Sequence, residues 1–280
     1  MKRTLVHIAA FLLSFSATLW LVKNDVGERT RGARYPPRTV RQWAPEDTAF
    51  VAFLVMKEAD SRMVRALFDD VRFGFDDGVA ARFSWKRDTT EERNAPYWWL
   101  FTDSSVARGR KYLSLYQEFL DSVASPFGVS PAVIAAMLRT ESDFGMTSGT
   151  HRVANALYTA ARLMTDSLRR NEELRELSCV LRIMRGKGLD SLLALRGSWR
   201  GAFGLVQFRP SSYLAYAIDG DRDGVINLFT LPDAVVSASN YLRAHGWSPS
   251  PRDQWRALYA YNRRAYANAV LSYAERISAE

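Results

Sequence analysis

The chain has 280 residues, 48% hydrophobic and 24% charged, and its 31.7 kDa suit one large domain or two modest ones with enough apolar material for a sizeable core. A single cysteine, Cys179, excludes an internal disulfide scaffold, a Cys-based zinc site and a CxxC redox centre; three histidines leave little for a His-rich metal site. Thirty-eight basic against thirty acidic residues give +8, which favours an anionic partner: nucleic acid, an acidic membrane face or an acidic glycan.

Lys2 and Arg3 precede an apolar run from Leu5 to Val22, interrupted only by His7, Ser14, Ser16 and Thr18. A bilayer span takes about 20 apolar residues, or about 17 at the short end. Residues 1–22 therefore read as an export segment, either an uncleaved signal-anchor or a signal peptide cut near Ser14-Phe15-Ser16. No cysteine follows, which excludes a lipoprotein anchor. Residues 23–45 are basic, carry Pro36-Pro37 and predict an extended tether. Lys23, Arg29, Arg31, Arg34 and Arg38 outnumber Lys2 and Arg3, so flanking charge alone does not place the body outside the membrane.

Globular text begins at Glu46. FVAFLVMKEADSRMVRALFDD has helical spacing, with Phe50, Phe53, Leu54, Met63, Val64 and Leu67 as core candidates. Trp85 to Pro96 is polar and reads as a surface loop, and VARGRKYLSLYQEFLDSVASPFG is helical again. Long alternating strand runs are scarce, which predicts a mostly helical body with small sheet elements.

Ser130 and Pro131 open a further helix, a side-chain cap followed by a proline at the first position, where its missing N–H costs nothing. Val133, Ile134, Met137 and Leu138 form one apolar stripe, and its next member is Glu141. A carboxyl set against apolar neighbours resists ionisation and can carry a proton near neutral pH, as a general acid must. A helix-terminal Glu that reaches water or pairs with Arg139 fits the same position. Asp143, two residues on, points elsewhere on a helix.

Gly197 to Tyr213 packs Gly197, Gly201 and Gly204 with Ser198 and Gln207 into a turn-rich stretch. Neutral hydrogen-bonding groups beside aromatic faces suit a polyhydroxylated or acetamido ligand; a plain loop-to-helix junction has the same composition. The following loop is sharper. Asp219, Asp221 and Asp223 stand at positions 1, 3 and 5, Gly224 at 6, and Val225 and Asn227 at 7 and 9, the spacing of an EF-hand loop for a hard cation. Thr230 replaces the bidentate Glu at position 12, which predicts weaker binding, and no second loop pairs with this one. A structural cation, Ca²⁺ or Na⁺, and a solvated acidic turn both fit. The last segment, WRALYAYNRRAYANAVLSYAERI, is helical and aromatic, with Asn262 beside Tyr261 as its polar contact.

Five of these stretches occur in a fixed order across 128–262: GVSPAVIAAMLRTESDFG, GTHRVANAL, GSWRGAFGLVQFRPSSYLAYAIDGDRDGVINLF, DAVVSASNYLRAHGW and AYN. Together they resemble the lytic murein transglycosylases of the B type. Weaker similarity extends back to about Glu46. The resemblance implies a mainly α (α+β), lysozyme-like fold with small β elements and an EF-hand-like loop. It divides residues 46–280 into an N-terminal helical part (46–125) and a catalytic core (126–280).

By the same resemblance Glu141 falls on the single catalytic acid/base. Ser198, Gln207, Tyr261 and Asn262 fall on residues lining the sugar subsites, and Arg169-Arg170 on a basic pair that meets the peptide stem. The acidic loop falls on a structural cation site, and no catalytic cofactor is implied. Glycosidases generally use two carboxylates, with substrate-assisted exceptions. Here one Glu would protonate the oxygen between N-acetylmuramic acid and N-acetylglucosamine, the 2-acetamido group would shield the cation, and the 6-hydroxyl would close a 1,6-anhydro ring. The implied partners are peptidoglycan strands, and a membrane through residues 1–22, with the body on the periplasmic side of the inner membrane and no nucleic acid bound.

Three departures stand out. YNRRAY is one residue short of the usual spacing, which puts Tyr266 in doubt as a site residue; Phe203 replaces a Met; Arg209 replaces an apolar residue. They keep open a murein-binding scaffold without turnover. A lysozyme-type hydrolase using Asp143 or Asp166 as second carboxylate, and a calcium sensor, are further alternatives.

Overall fold

The computed structural model describes residues 40–84 and 97–279. The expected export segment, most of the tether and the polar interval 85–96 lie outside these residues. Among the described residues no single helix is long and apolar enough to cross a membrane.

The body begins at Arg41, ahead of the expected boundary at 46. Arg41 donates to the Phe68 carbonyl and the Tyr158 hydroxyl and pairs with the buried Asp47 at 2.9 Å, while Trp43 Nε1 donates to Asp69. The first expected helical run is two helices, α1 (Asp47–Met56) and α2 (Ser61–Asp69). Glu58 takes a left-handed φ of 63°, and the Asp60 carboxylate accepts from the amides of Arg62 and Met63, so the local cap ends one helix and starts the next. Phe50, Leu54, Val64 and Leu67 are buried; Phe53 and Met63 pack on the core's edge.

Helix α3 (Asp77–Ser84) precedes the undescribed interval, and α4 (Asp103–Ala124) is the long helix expected there. Next come α5 (Pro131–Ser142), strand β1 (His151–Arg152), α6 (Val153–Leu163), α7 (Ser167–Ile183) and α8 (Leu189–Ala194). Strand β2 (Arg196–Gly197) pairs antiparallel with β1, His151 opposite Gly197. The chain closes with α9 (Pro210–Tyr216), α10 (Leu231–Ala244) and α11 (Pro251–Ser278). The mainly helical class with small β elements is the one expected.

Helix α5 is the hub. It packs against α4, α10 and α11, and its Ile134, Met137 and Leu138 are almost wholly inaccessible. Ser130 Oγ accepts from the Val133 amide and Pro131 takes the first position, as the sequence predicts. One continuous apolar core joins residues from Phe50 to Ile277, so the parts 46–125 and 126–280 share their interior.

Candidate active site

Glu141 lies in the last turn of α5, half-buried. Burial pushes its carboxyl up to about 8, and the Tyr266 hydroxyl beside it opposes that shift. Its position among the last, unpaired carbonyls of the helix acts in the same direction as burial, because that end carries partial negative charge. The half-open setting lets solvent soften the effect without reversing it. Arg139, the ion-pair alternative, is spent elsewhere: it contacts Asp143 at 2.8 Å and stacks over Trp99.

The exit from α5 is tightly fixed. Asp143 and Phe144 both take left-handed backbone, with amides returned to the carbonyls of Arg139 and Leu138. Arg108 holds Asp143 at 2.7 Å, Phe144 stacks on Tyr112 with ring centres 4.1 Å apart, and Ser142 Oγ accepts from the Gly145 amide. Glu141 is thus preorganised by neighbours that do not neutralise it. Asp143 is consumed by two arginines, and Asp166 caps α7 by accepting from the Arg169 amide. Among the described residues no second carboxylate perturbs Glu141.

Tyr266, which the YNRRAY spacing put in doubt, follows a kink in α11, with Asn262 at φ −156°, ψ 44° and Arg263 at φ 66°, ψ −173°. That break turns Tyr266 inward, where it is fully buried, stacks on Tyr261 at 5.4 Å and meets Glu141. Its hydroxyl finds no well-formed hydrogen bond, although it lies close enough to influence the acid. Tyr261 also feels Glu141, and burial raises both phenols well above their ordinary value. Tyr261 donates to the Val206 carbonyl, tying α11 to the glycine-rich segment. Asn262 is exposed at the kink.

Within that segment Ser198 closes a turn, its Oγ accepting from the amides of Arg200 and Ala202. Gln207 takes a left-handed φ of 49° and donates from Nε2 to the carbonyls of Gly204 and Ser148. Two glycines are required by close approach. A Cβ on Gly204 would meet Leu228 Cβ at 2.4 Å, and one on Gly149 would meet the Gly197 carbonyl at 2.1 Å. Ser198 and Gln207 share the wall of a groove of about 640 Å³ with Ser148, Gly149, His151 and Trp199. A second hollow of about 390 Å³, beside Arg110 and Ser130, contains none of the expected site residues.

The fold brings Glu141, Tyr261 and Tyr266 together and links them through Val206 to Gln207 and Ser198. Arg169 and Arg170 are apart from this constellation. Arg170 donates to the carbonyls of Met164 and Thr165 at the end of α6, and Arg169 is exposed; neither lines the groove. Phe203 is core, packed on Tyr213 and Phe229. Arg209 pairs with Glu173 at 2.6 Å and with Glu176, which explains a cation at this position.

In the acidic loop, carboxylate oxygens of Asp219, Asp221 and Asp233 lie within 4.8 Å of one another. Desolvation, together with the Asp223 and Asp233 charges, holds the Asp221 carboxyl above its usual range. Asp233, missed by the sequence reading, is buried in the first turn of α10 and accepts from the amides of Gly220 and Asn227, clamping both ends of the loop. Its signal was an acid just past the incomplete position 12. Asp223 Oδ1 accepts from the Val225 amide and Asn227 Oδ1 from that of Phe229. Three hard oxygen donors, with no sulfur or imidazole among them, fit a cation of the calcium type.

The family model described as "Transglycosylase SLT domain" matches residues 44–266. The chain belongs to that family. Within 147 residues it is 37% identical to "Membrane-bound lytic murein transglycosylase B" of Escherichia coli (strain K12), a match spanning 52% of this chain and 40% of that protein. The Escherichia coli lytic transglycosylase Slt35, solved in complex with calcium, shares the fold at a TM-score of 0.69 and 23% identity, covering 84% of this chain and 93% of Slt35. SltB3 from Pseudomonas aeruginosa, solved with NAG-anhNAM-pentapeptide, does so at 0.68 and 21%, covering 83% of this chain and 78% of SltB3. As a transglycosylase SLT domain, the chain thus has its expected lysozyme-like architecture in common with both.

Proposed function

We propose that this SLT-domain chain is a peptidoglycan lytic transglycosylase that cleaves the MurNAc–GlcNAc β-1,4 bond and leaves 1,6-anhydroMurNAc. The observation that carries this reading is Glu141: a preorganised carboxyl without a cationic partner among the described residues, raised to about 8 by burial. Such a group gives its proton to the glycosidic oxygen as the bond to the anomeric carbon breaks. The acetamido oxygen of the same sugar supports the electron-poor carbon. The Glu141 carboxylate then removes the proton from the 6-hydroxyl, whose oxygen closes the anhydro ring, and the acid is regenerated. With Asp143 and Asp166 engaged elsewhere, this single-carboxylate route fits better than a two-carboxylate hydrolase.

Ser198, Gln207, Tyr261 and Asn262 are proposed to line the sugar subsites. Murein is the proposed substrate, on the periplasmic side, with residues 1–22 as a signal-anchor or signal peptide; the name of the Escherichia coli relative and the NAG-anhNAM-pentapeptide bound by SltB3 support the substrate. The test is product analysis on intact sacculi. Wild-type chain should release anhydromuropeptides, and Glu141→Gln should lose at least about 10³-fold of that activity while keeping its melting transition. Undiminished release by Glu141→Gln would overturn the assignment. A reducing product one water heavier would indicate hydrolysis instead.

We also propose that Asp219, Asp221 and Asp233 hold a structural calcium ion, a reading supported by the calcium complex of Slt35. Calcium should raise Tm by several degrees over chelator. Equal Tm in both conditions would refute the site.

A further inference from the structure

Beyond Ser198 and Gln207 the groove continues to a wall made by α3 and the β1–β2 hairpin, where Arg82, His151 and Trp199 face the same space. No Asp or Glu side chain lines this groove among the described residues. Arg82 is exposed on α3 and makes no ion pair with another described residue. His151 Nδ1 lies 3.0 Å from Asp76 Oδ2, and the same aspartate accepts from the Val79 amide, so this carboxylate is already engaged. The Asp76 amide donates to Thr159 Oγ1, which fastens the start of α3 to α6.

The Trp199 indole is held in place. Phe83 meets it edge-on at 5.1 Å, and the Arg200 guanidinium lies 5.2 Å from the Phe83 ring centre and 5.5 Å from that of Trp199. Arg200 is in turn anchored to Glu173 at 3.0 Å. Among the described residues the wall therefore presents a guanidinium without an ion-pair partner, a fixed aromatic surface and no acidic lining residue. A guanidinium fork matches a carboxylate in geometry as well as charge.

We propose that this outer end of the groove binds a carboxylate-bearing peptide branch carried by the glycan, and that Arg82 is the residue that selects it. The proposal rests on the reading of the chain as a murein-cleaving enzyme and adds a recognition site to it. It also gives the acidic stem a cation inside the groove, where Arg170 is tied to backbone carbonyls and Arg169 lies elsewhere.

Binding separates this claim from turnover. In the Glu141→Gln background, affinity is measured for murein glycan fragments carrying their peptide stems and for fragments stripped of peptide by an amidase. Adding Arg82→Ala should weaken binding of stem-bearing fragments about fivefold more than of stripped ones, the scale of one exposed charge pair. Arg82→Glu should widen that ratio and Arg82→Lys should restore most of it. Equal losses on the two ligands, or no loss on either, would overturn the proposal. If wild-type chain released no anhydro product while the selective loss persisted, the catalytic reading would fall and this site would stand.

Discussion

Glu173 and Glu141 are two carboxylates withdrawn from bulk water, one on α7 and one on α5, and the fold surrounds them differently. Glu173 is only 4% exposed and meets Arg200 at 3.0 Å and Arg209 at 2.6 Å. Glu141 is more accessible, yet among the described residues it has no guanidinium beside it and its polar company is phenolic, from Tyr266 and Tyr261. Burial with compensating cations makes a structural ion pair; burial without them makes an acid that keeps its proton. The difference lies in where arginines are spent. Arg139 stands two residues from Glu141 but is directed to Asp143, so the site keeps its proton donor uncompensated.

Three measurements break or sharpen that contrast. The largest stability effect belongs to Glu173→Gln, which takes the carboxylate from Arg200 and leaves Arg209 with Glu176 as its remaining partner among the described residues. Because both arginines are partly solvated, we expect a loss of about 2–3 kcal/mol, at the lower end for a broken buried pair, read as a fall in Tm. Glu141→Gln should instead be neutral or stabilising, and increasingly so as pH rises. The wild-type carboxyl binds its proton up to about 8, whereas the unfolded chain releases it near 4.5. The wild-type fold therefore loses stability across that window, with no such cost below it and the full cost above it. Equal Tm differences at pH 4 and pH 9 would contradict this assignment.

The smallest effect concerns the pH profile of turnover. A general acid with its pKa near 8 predicts that kcat/KM declines as pH rises through that value. The Tyr266 hydroxyl favours the ionised form, so Tyr266→Phe should move the descending limb to higher pH, by less than about one unit because its hydrogen bond is poorly formed. A shift to lower pH would reverse the role given to Tyr266.

The N-terminal helices show how far local chemistry carries. Helical spacing identified the buried positions Phe50, Leu54, Val64 and Leu67, but ran two helices together, because the Asp60 cap competes only weakly with continuous periodicity in one dimension. The same spacing placed Glu141 on the apolar stripe of α5, since side-chain direction on a helix follows from position alone. The kink at Asn262 and Arg263 left no such signature: a left-handed Arg is unfavourable locally and persists only because packing on both sides holds it.

By itself, then, the sequence determined the features set by contiguous residues: the helical class, the Ser130–Pro131 helix start, Glu141 at the end of an apolar face, and the aspartates of the 219–227 loop. Only the tertiary structure decided which partners those groups have. It brought Tyr266 to Glu141, Asp233 to Asp219 and Asp221, and Arg209 to Glu173. It also left Glu141 without a cation among the described residues. Ionisation depends on every charge and dipole within a few ångströms, and those are gathered from segments far apart in the chain.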